Sequence, residues 1–175
     1  PADIRVLVHG TTTATNALVE RSYPPIAMIT TEGFRDVIEI GRQRRQHLFD
    51  LRQKRPEPMV ARRLRFTLAC RLSAGGEDIR PFDAEQAASV ARRIKDLGIE
   101  SVAICFINSY LDSRHEDEMR DILLAHHPSC HVALSCETVK KFREHGRFST
   151  TVIRAALLPV MTRYFSRLRD GLKSN

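Results

Sequence analysis

Ser101-Val-Ala-Ile-Cys-Phe-Ile107 is an unbroken run of small and apolar residues. It is too short for a buried helix, and its β-branched and aromatic content suits a strand covered on both faces. Its flanks carry a different period. Upstream, Asp83 offers an N-cap to a helix reaching about Leu97, with Ala87, Val90, Ala91 and Ile94 on one face and Gly98 as its stop. Downstream, Asp112 or Ser113 opens a second helix with Met119, Ile122 and Leu123 turned inward, and His131-Val-Ala-Leu-Ser135 reads as another strand. Residues 83–135 therefore alternate helix, strand, helix, strand, which predicts an α/β layer with parallel pairing.

Working outward, Ile26-Ala-Met-Ile-Thr-Thr31 is a second buried strand, set off by the turn Ser22-Tyr-Pro-Pro25. Phe34, Val37, Ile38 and Ile40 have helical spacing, and Gly41 ends that helix as a C′ glycine. Residues 42–58 are polar and basic, a surface loop. Leu64 to Leu72 alternates like a half-buried strand, with Ile79-Arg-Pro-Phe82 as the returning hairpin arm and Pro81 confined to an edge. From Thr138 the chain reads as helices, one over about 138–145 and a long one from about Ser149 to Leu172, kinked at Pro159.

The amino-terminal stretch carries the strongest chemical signal. Ile4-Arg-Val-Leu-Val8 reads as a strand, Gly10 breaks it, and Thr11, Thr12 and Thr13 offer hydroxyls to a helix bearing Ala14, Ala17 and Leu18. A helix start after a strand presents free N–H groups to an anion, a phosphate or a developing oxyanion. His9 lies at the strand end and Asn16 one turn into the helix. At this level a strand-to-helix connection whose threonines merely cap is the favoured reading, because such turns recur throughout α/β folds.

Composition narrows the class. The chain has 175 residues, 42% hydrophobic and 28% charged, as an ordinary globular domain does. No run of about 18 apolar residues offers a membrane span. None of the four cysteines forms a C-x-x-C pair, which fits a reduced cytoplasmic setting. The net charge of +7 comes largely from arginines and lysines between Arg42 and Arg65. Few aromatics interleave with them, so base stacking has little support and no nucleic-acid partner is expected.

His9-Gly10-Thr11-Thr12, with Ala14-Thr15-Asn16-Ala17-Leu18-Val19-Glu20-Arg21, resembles the HGTT-x-ATNALxER segment of the hydantoinase A/5-oxoprolinase family. The likeness continues through Thr30 to Gln43, Lys54-Arg-Pro-Glu-Pro58 and Ser149-Thr150-Thr151, in family order. It implies an α/β fragment of the actin-like/sugar-kinase ATPase type, with mixed sheet layers, flanking helices and a long C-terminal helix. It implies one fragment over residues 1–175, arranged as lobes 1–63 and 64–148 with helix 149–172. The implied function is the substrate and phosphate pocket of an ATP-dependent hydrolase that opens cyclic amides such as hydantoin or 5-oxoproline, inactive alone. A ketone carboxylase subunit and a non-catalytic protein- or anion-binding module are the alternatives.

In that family ATP, with a divalent cation such as Mg, phosphorylates a carbonyl or amide oxygen and makes it a better electrophile. The resemblance assigns catalysis to His9, Thr11 and Thr12, and substrate binding to Gly10, Asn16, Gly41, Arg42 and Gln43. Arg42 suits a bidentate clamp on a carboxylate or phosphate, and Gln43 suits an amide. The expected partners are the rest of the polypeptide, a hydantoinase B-type subunit and a small-molecule substrate. The glycine-rich phosphate turn of such proteins is not in this sequence. Related proteins carry tyrosine and glutamate where His145 and Gly146 stand, asparagine where Arg154 stands and histidine where Asn108 stands. His126, His127, Cys130 and His131 fit no zinc spacing and read as structural, as does His115-Glu116, which lacks the second histidine of a zincin helix and matches a helix start in the family.

Overall fold

The computed structural model describes residues 6, 8–43, 49–50, 52 and 56–173. Four strands form one parallel sheet in the order β2-β1-β5-β6, from β1 (Ile26–Thr31), β2 (Arg65–Leu68), β5 (Ser101–Cys105) and β6 (His131–Leu134). The register sets Met28 beside Ala103 and Ala103 beside Ala133. Every residue of β1 and β5 is buried, so both strands are covered on both faces as their sequences predict. A separate hairpin pairs β3 (Arg71–Leu72) with β4 (Asp78–Arg80). The fold is α/β, with a long C-terminal helix.

The helices follow the sequence closely where caps are strong. Asp83 accepts from the Glu85 and Gln86 amides and starts α3 (Ala84–Asp96), which buries Ala87, Ala91 and Ile94. Gly98, at φ +65°, turns the chain out of it. Helix α4 (Arg114–His126) packs on α3 through Met119 and Leu123. The remaining helices are α1 (Thr13–Val19), α2 (Val37–Ile40), α5 (Ser135–Thr138) and α6 (Glu144–Lys173).

Three expectations need correction. Leu64 to Leu72 is not one strand: β2 joins the parallel sheet, the chain breaks at Ala69 and Cys70, and only Arg71–Leu72 enters the hairpin. Arg65 explains part of this, because it is buried rather than solvated and its guanidinium is held inside the fold. No helix spans 138–145; α5 ends at Thr138 and α6 already begins at Glu144. Of the basic residues at the end of the basic segment, Arg65 is buried while Arg62 stays exposed, and both are ion-paired to Asp36. The strand expected over Ile4–Val8 falls mostly outside the described residues. Val6 and Val8 are described, 78% and 89% exposed, and lie in no strand.

Helix α6 runs through Pro159, and the sheet explains how. Proline has no N–H, so the carbonyl of Ala155, four residues back, loses its helical donor. The Ser101 hydroxyl on β5 donates to that carbonyl instead. Ser101, Ala103 and Cys105 lie on one face of β5 by the two-residue period. Their small side chains, with Ala155 and Ala156 on the helix, let α6 lie close along the strand.

Candidate functional site

Two regions hold the residues singled out by sequence, one toward each end of α6. The first begins at α2. Arg65 on β2 is 3% exposed. Its Nη1 donates to Asp36 Oδ1 (3.0 Å) and Glu39 Oε2 (2.7 Å), and its Nε to the Val60 carbonyl. Arg62 adds two more bonds to Asp36. These hydrogen bonds, Arg62 foremost, hold the Asp36 carboxyl below its ordinary pKa against the opposing effect of burial. The short α2 is therefore fixed on the sheet edge by side chains distant in sequence.

Gly41 follows α2 at φ +61°, ψ −138°, a conformation that needs glycine. It brings Arg42 against the first turn of α6. A Cβ on Gly41 would sit 3.8 Å from the His145 ring, and one on Gly146 would sit 3.9 Å from Arg42 Nη2. Between them opens a cleft of about 540 Å³ lined by Phe34, Val37, Gly41, Arg42, Arg143, Glu144, His145 and Gly146. Gln43, at φ +54°, and Arg143, at φ +79°, adopt left-handed backbone on either side of it. Such conformations cost of order 1–3 kcal/mol for non-glycine residues and concentrate at functional sites.

The first turn of α6 is locked from behind. Arg147 is 1% exposed; its Nη2 donates to the Phe106 carbonyl at the end of β5 (2.8 Å), and its plane lies over the rings of Tyr110 and Phe148. Its Nε and Nη1 have no acceptor among the described residues. Ser149, Thr150 and Thr151 turn back along the helix, to His145 Nδ1 and the carbonyls of Gly146 and Arg147. Their family motif therefore serves the turn that lines the cleft. Arg154 reaches Thr138 and Glu137 and ties α6 to α5.

The ends of β5 and β6 are joined by Glu116, which the sequence offers, with His115, as a structural helix start. Glu116 on α4 is fully buried. Its Oε1 accepts from the Phe106 amide and the Ser135 hydroxyl, and its Oε2 from the Cys136 amide. Ser109 bonds Ser135 and the Phe106 carbonyl. Asn108, at φ +59°, donates to the Leu72 carbonyl and so serves the hairpin. The only sequence signal for Glu116 was its place in the first turn of a helix, where acidic residues are common and mostly solvated.

The second region is the His9–Asn16 segment. His9, Gly10, Thr11, Thr12 and Asn16 are all exposed. The His9 ring stacks on Tyr164 of α6, and its Nε2 meets the tyrosine hydroxyl. Thr12 occupies the N-cap position of α1 without a hydroxyl cap bond; Thr11 Oγ1 accepts from the Thr13 amide instead. Among the described residues no atom comes within 4 Å of a Cβ on Gly10. His145 and Tyr164 are separated by roughly 28 Å of helix at 1.5 Å per residue. Gly41 and Arg42 are thus brought together with α6, while His9, Thr11 and Thr12 sit at a distance from them.

Other candidates resolve locally. His115 is buried against Asp78 (2.9 Å) and Phe82. His127 contacts the Ile99 carbonyl and Ser129. Among the described residues, no three histidine, cysteine or acidic side chains gather as a metal site. All four cysteines are free and buried. Burial pushes the Cys70, Cys130 and Cys136 thiols to about 12 and Cys105 upward as well, which suppresses thiolate chemistry near neutral pH. No described helix is long and apolar enough to cross a membrane.

Comparison with known proteins places this geometry. An uncharacterized protein of Methanocaldococcus jannaschii is 40% identical over 98% of this chain and 26% of its own length. Caprolactamase subunit alpha of Pseudomonas jessenii is 31% identical over 95% of this chain and 24% of its own. The acetophenone carboxylase gamma subunit of Aromatoleum aromaticum is 29% identical over 98% and 25%. The chain thus spans about a quarter of the length of these relatives. The crystal structure of ATP-dependent caprolactamase from Pseudomonas jessenii superposes with a TM-score of 0.88 at 30% identity, over 96% of this chain and 25% of that one. Residues 1–127 match the hydantoinase/oxoprolinase N-terminal region, and the chain belongs to that family.

Proposed function

We propose that the chain is part of a longer ATP-dependent enzyme that opens cyclic amides of the hydantoin or 5-oxoproline kind, and that the cleft of Gly41 and Arg42 is part of its substrate pocket. One observation carries this reading. Gly41, a position that needs glycine, delivers Arg42 to the first turn of a 30-residue helix at the carboxyl edge of a parallel sheet. That edge is where open α/β sheets bind ligands. Gln43, beside Arg42, is suited to read the amide. Family membership and the caprolactamase relatives supply the reaction class.

The His9–Asn16 segment is the second candidate, with hydroxyls and an imidazole suited to a phosphate or oxyanion. Its distance from the cleft means that one small substrate does not touch both His9 and Arg42. The cleft is the preferred substrate site because its walls come from two elements distant in sequence and leave a concave space between them. The divalent cation fits the cleft poorly: two arginines and a histidine against the single carboxylate of Glu144 are no donor set for such an ion. We assign the cation to the rest of the polypeptide, together with the glycine-rich phosphate turn. The similarity to a carboxylase subunit supports a second reading, in which a ketone takes the place of the lactam. Two of the relatives are named as subunits, so a hydantoinase B-type partner belongs to the proposal.

The test uses the full-length polypeptide with its partner subunit. Release of phosphate from ATP is measured with a panel of lactams and ketones, and ring opening is followed by NMR. Lactam-dependent hydrolysis with an opened product is the expected result. Stimulation by ketones and bicarbonate alone would transfer the assignment to the carboxylase reading.

A further inference from the structure

Helix α6 outruns the sheet on which it packs. Arg147 meets the Phe106 carbonyl at the carboxyl end of β5, and Ala155 meets Ser101 at its amino end. The helix continues from there to Lys173, roughly 27 Å further at 1.5 Å per residue. This overhang is amphipathic. Met161, Tyr164, Phe165, Leu168 and Leu172 recur at three- and four-residue spacing and share one face, whereas Arg163, Arg167 and Asp170 lie on the other.

The apolar stripe is only partly covered. α1 packs on α6 and the His9 ring stacks on Tyr164, and Met161, Tyr164 and Leu168 are half-buried. Phe165 and Leu172 stay 54% and 55% exposed. Phe165 meets Tyr164 edge-on at 5.5 Å, and Val8, next to His9 in the chain, is 89% exposed. Valine, phenylalanine and leucine thus stand in water along one continuous surface, although a helix takes most of its stability from packing its apolar face. The family motif belongs to the same surface: His9, Gly10, Thr11 and Thr12 are exposed, and the Thr12 hydroxyl makes no cap bond.

We propose that the stripe of Phe165 and Leu172, with Val8, is the docking surface for the polypeptide that continues beyond α6 in the full-length protein, a contact within one chain. This rests on the reading of the chain as part of a longer polypeptide and not on the ring-opening chemistry. Residues 1–127 match a region described as N-terminal, and the chain spans about a quarter of its relatives, so most of such a polypeptide follows this part. A segment tethered to the end of α6 is held beside the stripe at an effective concentration on the order of millimolar. The exposed area argues against a second copy. With an aromatic ring counted at about 200 Å², three partly exposed side chains fall well short of the ~800 Å² per partner of a stable interface. A tethered contact needs less area, because the chain itself supplies the proximity. Arg163 and Arg167 remain in water on the opposite face.

The experiment puts the photo-cross-linker p-benzoylphenylalanine in place of Phe165, and separately in place of Arg167, in the full-length protein. An equal mixture of unlabelled and isotope-labelled protein is irradiated, and the joined peptides are mapped by mass spectrometry. The expected product joins position 165 to a peptide of the same chain beyond residue 175, in a yield at least ~10-fold above that from position 167. Products of mixed isotope would give the stripe to a second copy and overturn the proposal. So would products with a partner subunit, products confined to residues 1–175, or equal yields from the two positions. A second measurement needs no cross-linker. Phe165→Asp should speed proteolysis of the distal part of α6 by at least ~10-fold over Arg167→Asp, and equal rates would overturn the docking. The intact mass of the natural product keeps the two readings apart. A product no longer than 175 residues would remove the longer polypeptide itself, whereas the other failures overturn the docking and leave that polypeptide standing.

Discussion

The two ends of α6 receive their partners in opposite ways. At its start, Arg42 arrives on a loop fixed by Arg65, Asp36 and Glu39, and the turn it meets is fixed by Arg147 on the Phe106 carbonyl. Toward its far end, α1 rests on the helix, and His9 leans on Tyr164 with no described atom within 4 Å of a Cβ on Gly10. The cleft is over-determined by buried polar bonds, whereas among the described residues the contact of His9 with Tyr164 is an exposed one. Binding sites that must keep a geometry need the first kind of support. The His9 segment, by contrast, has its free face available to other parts of a longer chain.

The comparison is broken most directly at Glu116. Glu116→Ala leaves the buried Phe106 and Cys136 amides and the Ser135 hydroxyl without an acceptor, and should destabilise the fold by about 3–5 kcal/mol. Denaturant unfolding measures it, and a loss under about 1 kcal/mol would mean that the strand ends are held by something else.

Arg65→Met comes next. It leaves Asp36 with Arg62 alone, Glu39 without its partner and the Val60 carbonyl without its donor, and should lower stability by about 1–2 kcal/mol. The same variant should loosen the cleft, read as faster amide exchange from Val37 to Gly41, with no change at α1. Equal loosening of both regions would remove the contrast drawn between them.

A comparable effect tests the helix that joins them. Ser101→Ala should cost about 1–2 kcal/mol by leaving the Ala155 carbonyl unbonded. Pro159→Ala returns a backbone donor to that carbonyl, so the double variant should recover much of the loss. Strictly additive effects would show that Ser101 does not stand in for the missing proline N–H.

Acid supplies the mildest probe. The Asp36 carboxyl is held below its ordinary value of 3.8, chiefly by Arg62. Its stabilising contribution is therefore complete above about pH 4 and is lost as pH falls through the lower, folded-state value. Stability should be flat in this respect from neutral pH down to about 5. In Arg62→Gln, the additional decline below about pH 4 should be smaller.

Much of this fold was legible because its signals are local. The run Ser101–Ile107, the Asp83 cap and the Gly98 stop each act over a few residues, and β5 and α3 lie where they predict. The Leu64–Leu72 run misled because its alternation is produced by two elements: Arg65 is buried by an ion pair with residues 26 and 29 positions away, which no period reveals. Helix 138–145 failed for a similar reason, since Arg143 takes left-handed backbone immediately before α6. In the site, Gly41 and Arg42 were found by motif. Glu116 was legible only as part of a structural helix start, and its burial and that of Arg147 were not, because a buried charge looks like any surface charge until its surroundings are known.

The central claim is that the start of α6, rather than the His9 segment, holds the substrate. It is tested by the kcat/KM of Arg42→Gln and Thr12→Val, each in the full-length enzyme with its preferred lactam at saturating ATP. The account predicts a loss of at least ~10-fold, about 1.4 kcal/mol, for Arg42→Gln, arising mainly in KM, and a KM for the lactam within about twofold of wild type for Thr12→Val. A Thr12→Val enzyme with a KM raised tenfold or more, beside an Arg42→Gln enzyme with an unchanged KM, would contradict it.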